Sequence, residues 1–142
     1  MKYIFYFLPL IAGIAMTTQA AVNAQLKAAI QSPLMAAFIS FIIGTFVLGL
    51  AVVFSKEPLP SIRQVIQIDA YKYSGGLLGA TFVTIIILSV QKIGSTNMFA
   101  LIITGQLIAS IVYEHFGLLG FKISSIQPYK LLGFLLLVVG AI

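Results

Sequence analysis

The chain has 142 residues, of which 61% are hydrophobic and only 8% are charged, and its net charge is +5. A soluble globular domain carries about 25% charged residues, so this composition excludes a water-covered surface and predicts an integral membrane protein with the lipid bilayer as its solvent. The lack of cysteine excludes a disulfide framework. One histidine and three acidic residues argue against a metal site, and scattered basic residues argue against a nucleic-acid partner.

The apolar runs predict an all-α membrane domain that covers residues 1–142 and contains five transmembrane helices. Crossing the hydrocarbon core takes about 20 helical residues, and polar interruptions between the runs set the limits of each helix. The helices are expected at about residues 3–25, 33–54, 71–90, 95–116 and 128–142.

The first helix has a competing interpretation as a cleaved secretory signal peptide. Lys2 precedes a short apolar core, and small residues lie around Ala20 and Ala21, which is the order found in signal peptides. A signal peptide would here deliver a chain that is itself embedded in the membrane, so we favour a retained helix.

Three polar segments separate the first four helices. A turn is expected at Lys27–Ser32, and the polar sequence Gln91–Asn97 predicts another tight turn. Ser55–Ala70 is the only long loop, and its charged residues and prolines place it in water. Within this loop, Ser61–Ile68 has the pattern of a short helix that lies at the bilayer surface.

Lysine and arginine counts predict the orientation. With five spans, the N-terminus shares one side of the membrane with the second and fourth loops, and that side carries six basic residues against two on the other. Positive residues favour the cytoplasmic side, so the N-terminus is predicted to be cytoplasmic. The six are Lys2, Lys56, Arg63, Lys72, Lys122 and Lys130, and the two are Lys27 and Lys92.

Polar side chains inside the predicted helices are the candidate functional residues. Gln19 and Asn23 lie four residues apart on the first helix, so they share one face, and three residues on the fourth helix repeat this spacing: Gln106, Ser110 and Glu114. A buried polar group is costly in hydrocarbon, so each face is expected to meet a polar partner or a wet cavity. One hypothesis is a substrate-binding pathway lined by Gln19, Asn23, Gln106 and Ser110. The other is structural hydrogen bonding between helices, worth about 0.6 kcal/mol per bond.

Glu114 is the only acidic residue near a predicted span. A carboxyl group in a dry site is a candidate for proton coupling. Glu114 lies within about one turn of the predicted helix end and next to His115. We therefore favour the alternative, a charge at the level of the lipid headgroups.

Glycine pairs mark two candidate packing faces. Gly75 and Gly79 have the four-residue spacing that lets helix backbones approach closely. Gly133 and Gly140 are seven residues apart on a leucine-rich face, which suits contact between the two helices of a dimer. Packing within one subunit is equally compatible with this spacing.

Several short motifs follow one another along essentially the whole chain. They are Ala12-Gly13 followed by Gln19, Asn23 and Leu26; Phe41-Ile42-Ile43-Gly44-Thr45; Gly75-Gly76-Leu77-Leu78-Gly79-Ala80; Gly105-Gln106 followed by Ser110; and His115-Phe116-Gly117-Leu118-Leu119-Gly120. Each motif alone is common in membrane helices. Their order and spacing resemble the YdcZ-like, half-size members of the drug/metabolite transporter superfamily, which is related to the EamA proteins.

The resemblance implies an architecture that the residues alone do not. Members of this superfamily are bundles of ten helices built from two inverted five-helix halves, so a half-size chain would pair antiparallel, either as a homodimer or with an oppositely oriented paralogue. It would be an inner-membrane exporter with alternating access and proton coupling. Its site would lie between the halves and be lined by Gln19, Asn23 and Gln106. Gly133 and Gly140 resemble the dimer helix of the small multidrug exporters.

Two features depart from a simple version of this scheme. The small multidrug exporters carry a membrane-embedded glutamate in the first helix, whereas this first helix has no acidic residue. A neutral or zwitterionic substrate is therefore expected rather than a cation exchanged for protons. The six-to-two charge bias favours one fixed orientation and hence a paralogue as partner, whereas an antiparallel homodimer requires insertion in both orientations.

Three function classes are compatible with a chain of this kind. Transport of a small metabolite or drug-like molecule is favoured. The alternative is a non-transporting scaffold or regulatory subunit, in which the polar faces would be satisfied pairwise in a dry bundle. Enzymatic activity is not expected, because the sequence shows no nucleophile–base pair, paired carboxylates or metal cluster, and no cofactor is expected.

Overall fold

The computed structural model of the protein describes residues 4–125 and 128–140. All regular secondary structure in these two ranges is helical, as expected for an all-α membrane protein. The predicted helix limits at residues 3 and 142 lie outside the described residues, as does Lys2. The helices are α1 (Ile4–Ile30), α2 (Pro33–Ser55), α3 (Ile62–Ile66), α4 (Ser74–Ile93), α5 (Ser95–Phe116) and α6 (Pro128–Gly140), with short 3₁₀ helices at Ala70–Tyr73 and Leu118–Gly120.

Four helical segments in the described ranges are long and apolar enough to cross a bilayer: Phe7–Ile30, Pro33–Ser55, Ala70–Ile93 and Ser95–Phe116. At most 17% of the apolar window of each segment is buried inside the protein. Most of these side chains therefore face outward, where lipid tails are the favourable surroundings. α6 has 13 described residues, which is about 20 Å of helix against a hydrocarbon core of about 30 Å. The fifth span remains a prediction.

The first helix is longer than predicted. α1 continues to Ile30, whereas the sequence indicated an end near residue 25 and a turn from Lys27. The reason is composition: residues 24–30 contain neither glycine nor proline and are rich in good helix formers. The turn shrinks to Gln31, which adopts a left-handed φ of 56°, and Ser32. The Ser32 hydroxyl accepts a hydrogen bond from the Met35 N–H and caps α2.

The connection between α4 and α5 is also shorter than predicted. The sequence indicated a polar break over Gln91–Asn97, with one helix ending near residue 90 and the next beginning near residue 95, but only Gly94 lies outside a helix there. Its φ of 77° is a conformation that glycine adopts easily. The polar residues before it continue α4 to Ile93 because they have good helix propensity, and α5 begins at Ser95.

The predicted surface helix in the long loop is present as α3, shortened from Ser61–Ile68 to Ile62–Ile66. Ser61 and Gln64 form a reciprocal capping box that satisfies free N–H groups at the start of the helix. Downstream, the Tyr73 hydroxyl donates to the Val65 carbonyl at 2.7 Å. These bonds give a short segment a defined shape before α4 begins.

The chain divides into two compact units, the first ending at Gln91 and the second beginning at Lys92. In the first unit, Ala36 and Ala37 of α2 form a buried cluster with Val83 and Ile87 of α4, and Leu26 of α1 packs against it. Small side chains at the buried positions of α2 let helices approach closely. The predicted single domain over residues 1–142 remains a prediction.

In the second unit, α5 packs against α6 and against the 3₁₀ helix that follows α5. Gly117 ends α5 with a left-handed φ of 63° and donates its N–H to the Tyr113 carbonyl. A Cβ atom at this position would lie 2.7 Å from Cγ1 of Ile123. Both the backbone angle and the close approach of Ile123 therefore require glycine here.

Candidate functional site

A polar contact joins the C-terminal half of α1 to the N-terminal half of α2. The two helices are consecutive, in contact and joined by a two-residue turn, so they run antiparallel. The hydroxyl of Ser40 on α2 donates a hydrogen bond to Oδ1 of Asn23 on α1. The predicted candidate Asn23 is thus one half of an interhelical pair, and Ser40 is a partner that the sequence had not indicated.

Asn23 is the buried polar residue in the described ranges, with 3% of its surface exposed. Its Nδ2 group has no hydrogen-bond partner among the described residues. Exchanging the amide oxygen and nitrogen would move the unpaired position to the oxygen without removing it. An unsatisfied buried polar group costs about 1–3 kcal/mol, so it calls for an explanation such as a bound water or a ligand.

An open groove of about 180 Å³ lies beside this pair, and its lining residues all belong to α1 and α2. Gln19, one turn before Asn23, is the lining residue from α1. The lining residues from α2 are Ser40, Phe41, Gly44, Thr45 and Leu48. A Cβ atom added at Gly44 would meet nothing within 4 Å, so the missing side chain leaves room in the groove. The lining has polar and apolar members and carries no charge.

One wall of the groove is supported by α4. The ring of Phe41 lies against Gly79, where an added Cβ atom would be 3.7 Å from Phe41 Cζ. Gly79 therefore packs within the subunit. The other three candidate packing glycines have nothing within 4 Å of an added Cβ: Gly75, Gly133 and Gly140. Their role in a dimer remains a prediction.

The second unit holds the other predicted polar face. Gln106 is exposed on α5, and Ser110 is half-buried one turn further on. The Ser110 hydroxyl donates to Oε1 of Glu114 at 3.4 Å, and the Ser124 N–H donates to the Glu114 backbone carbonyl at 3.0 Å. The structure therefore brings Ser110 and Glu114 together, whereas Gln106 makes no side-chain hydrogen bond to either of them.

Glu114 also borders an open cavity of about 360 Å³, with the lining residues Glu114, Phe121, Lys122, Ile123 and Ser124. Glu114 lies two residues before the end of α5, and Lys122 brings a second charge to the same cavity. A charged cavity at a helix end fits the favoured interpretation of Glu114 as a charge near the headgroups. Its role in proton coupling remains a hypothesis.

A second polar link joins α1 to α4 near their C-terminal ends. Gln91 Nε2 donates to the Ala24 carbonyl at 3.1 Å, and Lys27 Nζ donates to Gln91 Oε1 at 2.9 Å. From their sequence context both Lys27 and Gln91 were expected in turns. Lys27 instead lies in α1 and Gln91 in α4, so the hydrogen bonds of their side chains connect these two helices within the first unit.

These features define a multi-pass helical membrane protein with an uncharged polar groove between two of its apolar helices. A family model described as "Putative inner membrane exporter, YdcZ" matches residues 4–142, and the chain belongs to this family. The resemblance noted in the sequence is thereby confirmed, and the protein is a multi-pass transporter of the inner membrane. Comparisons with curated proteins and with solved structures gave no match.

Proposed function

We propose that this exporter carries a small metabolite or drug-like molecule by alternating access, as an antiparallel dimer. Gln19 and Asn23 are the proposed recognition residues of the first unit, and Gln106 and Ser110 those of the second. The observation that supports recognition at α1 and α2 is the buried, incompletely paired Asn23 beside the groove. A non-transporting scaffold would instead be expected to satisfy such a group fully.

Dimer formation is proposed because the groove is open. Its described lining comes from two helices only, and a solute needs a route closed off from lipid along its whole length. A second subunit in the opposite orientation would supply the other wall. Gly75, Gly133 and Gly140 leave open space at the helix surface, which is what close contact between helices of two subunits uses. The partner is either a second copy or an oppositely oriented paralogue.

Flux through proteoliposomes tests the transport proposal. The purified protein is reconstituted and challenged with a panel of amino acids, cations and neutral metabolites, with and without a proton gradient. Asn23→Ala and Gln106→Ala are each expected to lower flux at least tenfold for the transported solute, because each removes a side-chain hydrogen bond to it, worth about one factor of ten.

The matched control for Gln106→Ala is Gln67→Ala. Gln67 caps α3 in the long loop, outside the membrane helices, so its loss should leave flux unchanged. Wild-type flux in both recognition variants would remove the site assignment. If Glu114 is a charge at the level of the headgroups, Glu114→Gln is expected to retain flux. Loss of the proton-driven flux alone would instead assign Glu114 to proton coupling.

A further inference from the structure

The groove between α1 and α2 has a definite chemical character. Of its lining side chains, Gln19, Ser40 and Thr45 are polar, and none is ionisable. In a membrane interior an ion without an opposite charge or water is strongly disfavoured. The groove is therefore poorly suited to an ammonium or a carboxylate group and well suited to an uncharged polar molecule.

The hydrogen bond between Ser40 and Asn23 decides whether Ser40 acts as a donor or as an acceptor towards a molecule in the groove. A serine hydroxyl has one proton to donate and two lone pairs that accept. With the Asn23 amide in the orientation that the structure shows, the proton of Ser40 is used by Oδ1 of Asn23. Ser40 therefore meets the groove as an acceptor only, and the group that complements it is an N–H or O–H donor.

Size and the apolar walls complete the description. A cavity of about 150 Å³ lined by apolar side chains binds a benzene ring, and this groove measures about 180 Å³. Phe41 and Leu48 provide apolar surface beside the polar residues. A single ring or a short branched chain with one donating group would fill the space.

We propose that the α1–α2 groove selects small uncharged molecules that donate an N–H or O–H hydrogen bond to Ser40 and place an apolar body against Phe41 and Leu48. This inference deepens the proposed function and rests on it. It excludes organic cations and anions from this groove, and among neutral molecules it favours donors over molecules of the same shape that only accept.

Four probes of nearly the same shape separate these properties: benzamide is neutral and donates, acetophenone is neutral and only accepts, benzoate is an anion, and benzamidinium is a cation. The natural chain has no cysteine, so Thr45→Cys and Leu48→Cys each place a single thiol in the groove. Val47→Cys is the control on the same helix, exposed but outside the groove lining. The measurement is the rate of maleimide labelling in proteoliposomes with each probe present.

Benzamide is expected to slow labelling of both groove thiols, and acetophenone should require about tenfold higher concentration, because the Ser40 acceptor is then left unpaired. Benzoate and benzamidinium should give no protection, and no probe should affect Val47→Cys. In a Ser40→Ala background the difference between benzamide and acetophenone should disappear. Equal protection by those two in wild-type background, or stronger protection by either ion, would overturn the inference.

The outcomes also separate this inference from the transport proposal. Protection in the expected order without any flux would keep the groove selectivity and remove transport. Protection in a different order together with flux would keep transport and remove the selectivity. If neither groove thiol reacts with maleimide, or no probe protects either of them, the groove is not a binding site and the inference fails together with the assignment of Asn23.

Discussion

The Ser40 hydroxyl donates to Oδ1 of Asn23 from a position 17 residues later in the chain, on the neighbouring helix. In two antiparallel helices, residues that face each other have the same sum of residue numbers. Asn23 and Ser40 share that sum with Gln19 and Gly44, which both line the groove one turn away, so the bond and the groove belong to one register of α1 against α2. The bond also leaves Asn23 with one unpaired group at 3% exposure. A pair with only a structural role would gain nothing from this unpaired group. A site that binds a ligand or a water molecule would use it as a hydrogen-bonding group.

Removing one member of this pair should harm stability more than removing both. Ser40→Ala leaves both polar atoms of buried Asn23 without a partner, and we expect the free energy of unfolding to fall by about 1–3 kcal/mol. The double replacement Asn23→Leu with Ser40→Ala takes the polar groups away together and should regain most of that loss, yet its flux should be at least tenfold below that of the wild type. Unfolding in mixed micelles and proteoliposome flux are the two measurements.

Thr81→Val is the control for this pair of variants, because the Thr81 hydroxyl donates only to the Leu77 carbonyl of its own helix. Its effect on stability should stay within about 0.5 kcal/mol. Normal flux in the double variant would show that the Asn23–Ser40 pair has a purely structural role.

Filling the groove should stop transport without unfolding the protein. In Gly44→Leu the new side chain enters open space, because nothing lies within 4 Å of its Cβ position. Helix propensity rises by about 0.8–1 kcal/mol when glycine is replaced within a helix, so the thermal midpoint should hold or increase while flux falls at least tenfold. Gly49→Leu gains the same propensity on the same helix, also into open space, but away from the groove lining. Equal flux loss in both variants would point to a general effect on α2.

The helices could be predicted from the sequence because lipid imposes a simple rule. Long apolar runs must be helical to satisfy their backbone groups, and this rule found the four membrane-length segments. The ends of the helices were predicted less accurately. Polarity alone suggested turns around Lys27 and Gln91, whereas the chain leaves a helix only where the backbone allows it, at Gln31 and Gly94.

The candidate site could be predicted only in part. A spacing of four residues identified Gln19 and Asn23 as one face of α1. Spacing within a helix contains no information on the neighbouring helix, so Ser40 was missed as the partner of Asn23, and Gly44 was not predicted to line the groove. Ser40 is an isolated hydroxyl between apolar residues of α2, and an assumed antiparallel hairpin with a turn at Gln31 would have paired it with Asn23.

The link between α1 and α4 should contribute to stability. Gln91 accepts from Lys27 and donates to the Ala24 carbonyl, so Gln91→Ala removes two interhelical hydrogen bonds. We expect a loss of about 1–2 kcal/mol, since a typical bond contributes about 0.5–1.5 kcal/mol and partly exposed ones less. Gln25→Ala, at an exposed position on α1, should change stability little. Equal unfolding free energies for the two variants would show that the Gln91 bonds contribute nothing measurable.

Orientation in the cell decides which partner an antiparallel dimer can have. Leu59→Cys in the long loop and Ser95→Cys after α4 place single thiols on opposite sides of one membrane span, and both leave every lysine and arginine in place. The six-to-two charge bias predicts that an impermeant maleimide added to intact cells labels Ser95→Cys fully and Leu59→Cys only after lysis. That result would require an oppositely oriented paralogue for antiparallel pairing. Labelling of about half of each thiol, as dual insertion gives, would instead establish the homodimer, and labelling of Leu59→Cys alone would reverse the predicted orientation.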